Sequence, residues 1–155
     1  MLTIIISLFF FFCVITLLHI TLLHLLNAFR LFFEFLKTGP THHLATCYLL
    51  AESINHGWRL DKEPAAQYLY YCSQIGLGLC PLSNDALFVS MNASPIGKLH
   101  QRGLRVCLGT DDPLQFHNTN TPLLEEYTVA GHFFEFTTTD KSEIARNSVL
   151  VSTIC

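Results

Sequence analysis

The stretch Val106 to Phe116 reads VCLGTDDPLQF, an apolar run that halts at two adjacent carboxylates, Asp111 and Asp112, set in front of Pro113. Leu104, Val106 and Leu108 alternate with Cys107, which is the spacing of a short buried strand, and Gly109 closes it. Neighbouring carboxylates repel each other and are costly to take out of water. A strand ending on such a pair at a site therefore needs a cation or hydrogen-bond donors close by. An ordinary polar turn is the plainer alternative, and the rest of the chain has to decide between them.

Two apolar runs upstream stop in a similar way. SINHGW (residues 53–58) predicts a strand ending on Asn55, His56 and Gly57, and LGLCPLSN (77–84) predicts another ending at Pro81, Ser83 and Asn84. Helical spacing occupies the intervals: HHLATCYLLAES (42–53), the segment from Pro64 to Gly76, a broken segment interrupted at Pro95 and closed by Gly103, and one opening at Thr121-Pro122. A last helix is predicted from TTDKSEIARNSVLVS, with Asp140 and Glu143 at capping-box spacing. Strands alternating with helices predict an α/β fold with parallel strands and right-handed crossovers. In such folds the C-terminal strand ends form the rim of the active site, most strictly in the eight-stranded barrel. His56, Ser83 with Asn84, and Asp111 with Asp112 are thus expected around one crevice.

The beginning of the chain is of another kind. Residues 1–29 contain no Lys, Arg, Asp or Glu. About 20 consecutive apolar residues span a bilayer, so residues 3–26 predict a transmembrane-like helix. A signal peptide fits less well, because a basic n-region and a small-residue cleavage site are both missing. Arg30 and Lys37 follow the run, and a positive flank predicts that residues 38–155 face the cytosol. The expected organisation is an apolar segment, 1–37, followed by an α/β domain, 38–155. The alternative for residues 1–37 is non-coding sequence read as protein.

From residue 38 onward acidic side chains outnumber basic ones, and the whole chain carries a formal charge of −3, which excludes the basic footprint of a nucleic-acid binder. The six cysteines form no CxxC pair and lie mostly within apolar runs, as reduced thiols do. His42 and His43 are adjacent on a helix and do not face one partner together. Glu125-Glu126 sits in the first turn of a helix, where acidic side chains suit the dipole. His100, His117 and His132 have no partner at a useful spacing. His56 could ligate a metal, act as a base or pack in a turn. Asp111 suits zinc, which accepts carboxylate oxygen as well as imidazole nitrogen.

SINHG, CPLSN, GTDDPLQFH, PLLEEY and EIARNSVL, in this order, resemble the C-terminal part of the AMP deaminase family, within the wider adenosine deaminase group of metal-dependent barrels, over residues 39–152. The resemblance implies the C-terminal portion, about three βα units, of a (β/α)8 TIM barrel. It implies hydrolysis of AMP to IMP and ammonia. It also implies zinc, held by three His and one Asp, to lower the pKa of the attacking water. Carried onto matching positions, Asp111 is the zinc ligand and Asp112 hydrogen-bonds the purine ring. His56 is the acid/base or electrostatic partner of the attacking hydroxide. Asp112, Pro113, Leu114 and Gln115 line the substrate pocket, with Ser83 and Asn84 beside them. AMP is the implied partner; a homo-oligomer and a cytosolic setting are further expectations, with membrane association if residues 3–26 form the span.

The chain departs from the family pattern in its first part. No HxH occurs anywhere, Glu34 stands where the family has a zinc His, and Lys37 stands where it has the glutamate that protonates the purine. With three zinc ligands and the proton donor missing, the chain alone is expected to be inactive. An alternative function follows: a membrane-anchored, catalytically inactive fragment that acts by associating with other subunits. A complete barrel takes about 250 residues, and three strands leave two open sheet edges.

Overall fold

The computed structural model describes residues 42–152. The expected membrane span at residues 3–26 and the segment Glu34 to Gly39 lie outside the described residues. Among the described residues no helix is long and apolar enough to cross a membrane.

Twelve short elements follow one another among the described residues. They are α1 (His42–Leu50), β1 (Ser53–Asn55), a 3-10 turn (Trp58–Lys62), α2 (Pro64–Ser73), β2 (Gly76–Leu79), α3 (Pro81–Leu87), a second 3-10 turn (Met91–Ala93), α4 (Ile96–Gln101), β3 (Val106–Leu108), α5 (Pro113–Phe116), α6 (Pro122–Phe133) and α7 (Thr138–Val151). Proline opens α2, α3, α5 and α6, where its missing N–H costs nothing and its fixed φ already suits the helix. The start of α7 is closed by a capping box: Thr137 accepts from the Asp140 N–H, and the Asp140 carboxylate accepts from the Thr137 N–H at 2.8 Å. The expected Asp140 and Glu143 pairing is corrected by one turn, because Asp140 closes the box at N3 and Thr137, not Asp140, opens it.

The three strands form one parallel sheet in the order β1-β2-β3. Ile54 lies beside Leu77 and Leu77 beside Val106, so one apolar, buried row crosses all three strands. Leu44, Leu60, Leu77, Leu79, Ile96, Leu99, Val106 and Ile144 fill the core between the sheet and its helices. α7 lies mainly over β3. Gly76 makes the neighbouring contact with α7 feasible, since a Cβ there would stand 2.4 Å from Val151 Cγ2. The strand predicted over 53–58 ends at Asn55: the His56 N–H still reaches the Gly78 carbonyl, but His56 and Gly57 both take left-handed backbone, with φ of 66° and 56°, and turn the chain away beyond it.

The outer side of β3 is partly closed by its own chain. The Arg105 carbonyl and the Gly109 N–H bond to β2. Alternation along a strand then turns the Val106 backbone groups away from β2. Both find other partners: the Val106 N–H donates to the Leu104 carbonyl at 2.8 Å, and the Asn147 side-chain amide on α7 donates to the Val106 carbonyl at 3.1 Å.

Candidate active site at the strand ends

Because the strands are parallel and adjacent, their C-terminal ends share one edge of the sheet. Strands are spaced about 4.8 Å apart, which sets the ends of β1 and β3 roughly 10 Å apart across β2. His56 follows β1, is 5 % exposed, and donates its backbone N–H to the Gly78 carbonyl at 2.7 Å. Asn55, beside it, reaches across to β2, where a Cβ on Gly78 would stand 2.8 Å from Asn55 Oδ1. Only glycine at 78 leaves that side chain its place.

Asp111 follows β3 with a φ of 55°, also left-handed. Asp is among the few non-glycine residues found there with any frequency. Its carboxylate is held: Ser83 Oγ donates to Asp111 Oδ2 at 2.7 Å. Asp112 stands just before Pro113, at the head of α5, and makes no side-chain cap bond to that helix. Asp111, Asp112, Pro113, Leu114 and Gln115 are all exposed, Leu114 by 98 %. This loop presents its side chains to solvent at the sheet edge.

Ser83 and Asn84 are not at a strand end, as the apolar run LGLCPLSN suggests. β2 stops at Leu79, and both residues lie in the first turn of α3. Pro81 opens the helix and carries them inward, where Ser83 is 0 % and Asn84 1 % exposed. Neither polar atom of the Asn84 amide has a hydrogen-bond partner. Thus Ser83 and Asp111 are brought together by contact, while His56 shares the same edge two strands away.

Two buried side chains behind the edge are missing from the sequence-based set. Glu126 on α6 and His117 after α5 have fully buried side chains, with His117 Nε2 2.9 Å from Glu126 Oε1. Glu126 Oε2 accepts the backbone N–H of Leu82 at 3.2 Å. The expectation that Glu126 serves only the helix dipole is corrected, and His117, with no partner at a useful spacing in the sequence, finds one in Glu126. His100 also has a partner, with its Nε2 3.3 Å from Asp140 Oδ1. Burial raises the pKa of Glu126, opposed by the Leu82 N–H and His117. Cys80, between the two acidic centres, is pushed up to about 12, chiefly by burial and then by the charges of Asp111 and Glu126.

Zinc takes four donors in a closed site, and three from the protein in an open one. Among the described residues there is no group of three or more His, Cys, Asp or Glu able to hold a metal ion. Asp111 supplies one carboxylate with one oxygen already engaged by Ser83. The described residues do not by themselves fit zinc.

Three parallel strands joined by helices, with a carboxylate pair and a buried His on their C-terminal edge, make an α/β fold of the kind found in a solved deaminase. The solved adenine deaminase from Arthrobacter aurescens superposes with a TM-score of 0.69 and 25 % identity, over 77 % of this chain and 37 % of that one. The chain belongs to the AMP deaminase family, whose model matches residues 7–155. AMP deaminase of Saccharomyces cerevisiae is 49 % identical over 116 residues, 75 % of this chain and 14 % of that protein. AMP deaminase of Dictyostelium discoideum is 48 % identical over 116 residues, 75 % of this chain and 15 % of that protein. Human AMP deaminase 1 is 45 % identical over 114 residues, 74 % of this chain and 15 % of that protein. The chain therefore spans about one-seventh of the length of these relatives.

Proposed function

We propose that the strand edge of this chain is one wall of a site for hydrolytic deamination of AMP to IMP and ammonia, built as the last three βα units of a (β/α)8 barrel. The observation that carries the reading is the Ser83 hydroxyl on the Asp111 carboxylate at 2.7 Å, beside a second carboxylate, Asp112, that its own helix does not use as a cap. In this reading the two like charges have separate tasks. Asp111 is held in place by a hydroxyl donor and faces the centre where water is activated. Asp112 hydrogen-bonds the purine ring and orients it. His56 adds an imidazole at the same edge as acid/base or electrostatic partner, and Pro113, Leu114 and Gln115 cover the substrate, with Asn84 below. A zinc requirement belongs to the family expectation, and its remaining ligands would have to come from outside the described residues. A cytosolic setting and a homo-oligomer accompany the same reading.

A second reading, an inactive fragment that associates with other subunits, is favoured by the lack, among the described residues, of a group of three or more metal ligands and by the three-stranded sheet. One experiment separates the two. Ammonia release from AMP is measured for the full chain, alone and mixed with an AMP deaminase lacking the matching C-terminal part, with zinc or with a chelator. Release that disappears with Asp111→Ala supports the deaminase reading. A stable complex that releases no ammonia supports the second reading, and absence of both overturns the two together.

A further inference from the structure

We propose that Glu126, backed by His117, is a positioning residue for Asp111: one buried carboxylate grips both segments that set where the Asp111 side chain stands. The first grip is on α3. That helix starts at Cys80-Pro81 without any side-chain cap, so its early N–H groups need an acceptor from elsewhere. Glu126 Oε2 supplies it to Leu82, the residue directly before Ser83, and Ser83 Oγ in turn holds Asp111 Oδ2. The second grip is on the loop itself. His117, which ends the Asp111 to Phe116 segment, is fixed by Glu126 Oε1. Asp111 is thereby held from its front through Ser83 and from the far end of its own loop through His117.

The tautomer of the His117 imidazole follows from its surroundings. His117 Nδ1 is buried without a hydrogen-bond partner. An orphaned acceptor is cheaper than an orphaned N–H, so the proton is assigned to Nε2, which donates to Glu126. Glu126 is then an acceptor on both oxygens, a role in which glutamine can replace only one half. In Glu126→Gln the side-chain carbonyl still receives Leu82, but its NH2 faces His117 Nε2 and drives the imidazole proton to Nδ1. The positioning role requires no catalytic contact from Glu126.

The positioning role rests on the deaminase reading for its importance, but it is tested without it. In the full chain, amide hydrogen exchange is read by NMR at Leu82, Ser83 and Asn84 and compared with the ladder amides of Leu77 and Leu79 in the same sample. Glu126→Leu is expected to speed exchange at Leu82 to Asn84 on the order of tenfold more than at the ladder, the equivalent of losing one buried hydrogen bond. It is also expected to shift the Ser83 and Asp111 resonances. Glu126→Gln should keep the three amides protected while the 15N spectrum of His117 changes tautomer. Equal acceleration at ladder and helix would make Glu126 a general stability residue and overturn the proposal, as would an unchanged His117 tautomer in Glu126→Gln. Should Glu126→Leu fail to fold, the Glu126→Gln spectrum decides alone. Where ammonia release is measurable, Glu126→Gln should lower kcat with KM unchanged. A protein with no activity but the expected exchange pattern rejects the deaminase reading and leaves the positioning intact.

Discussion

The ends of β1 and β3 use one backbone device and hold it in opposite ways. Each leaves the sheet through a non-glycine residue in the left-handed region, His56 at φ 66° and Asp111 at φ 55°. A left-handed residue with a Cβ costs about 1–2 kcal/mol, so each conformation must be enforced by its surroundings. At β1 the enforcement is close by: His56 is buried, its N–H extends the ladder to Gly78, and Gly57 beside it completes the turn. At β3 the residue is exposed, and the enforcement comes from side chains far along the chain, Ser83 on α3 and, behind it, Glu126 on α6. The first end stands on packing. The second stands on a relay of polar contacts, and a relay fails when one member is removed.

The largest expected effect falls on that relay. Glu126→Ala leaves the His117 Nε2–H and the Leu82 N–H without their acceptor, and at about 1–3 kcal/mol for each unsatisfied donor, urea unfolding should report a loss of about 2–4 kcal/mol. A loss below 1 kcal/mol would erase the contrast between the two ends. Next comes Gly57→Ala, which puts a Cβ at φ 56° and 3.2 Å from Ile54 Cδ1. A loss of about 1–2 kcal/mol by the same measurement is expected at this packing-held end. Asp111→Gly sharpens the comparison from the other side, because it relieves the strained backbone while deleting the Ser83 bond. The two changes oppose each other and stability should stay within about 1 kcal/mol, although the resonance of the Ser83 hydroxyl environment moves.

The smallest effect at neutral pH concerns the thiols packed behind the edge. Burial lifts Cys80 to about 12 and Cys107 to about 11 from the ordinary 9.0. An acid whose folded pKa is raised stabilises the native state fully below its unfolded pKa, and that contribution is lost as pH rises through the folded value. The melting temperature should therefore hold up to pH 9 and fall between pH 9 and about 12, less steeply in Cys80→Ala. Alkylation gives a second check: the exposed Cys72 should react at pH 8 while Cys80 stays protected until the protein opens.

Much of the fold is legible in local patterns. Apolar runs mark where β1, β2 and β3 begin to within about two residues but overrun the ends of β1 and β2, and Pro64 and Pro122 mark helix starts that the structure confirms. Reading Ser83 and Asn84 as a strand end follows from letting the apolar run LGLCPLSN continue past Pro81. Proline as a helix-opening residue was the signal that could have moved them into α3. The capping box at α7 is displaced by one turn for a related reason, since TTTDKSE offers several frames with suitable spacing and only the backbone selects Thr137. Glu126 and His117 are different. They lie nine residues apart on either side of a turn, with Leu82 a further 44 residues from Glu126, and no periodicity links positions joined only by tertiary contact. The short α5 is likewise invisible, because four residues are too few to carry a helical pattern.

The Asn147 amide on the Val106 carbonyl bears on how this sheet meets other chains. An exposed parallel strand is a template on which a foreign strand can add, and proteins commonly blunt such edges. At β3 any newcomer must first evict a side chain from the same molecule, and it meets a neighbouring N–H already folded back on Leu104. Growth by edge pairing is therefore slowed at β3 by a competitor tethered in place. Asn147→Leu would remove that competitor and turn the edge into a seeding surface, visible as faster aggregation at equal stability.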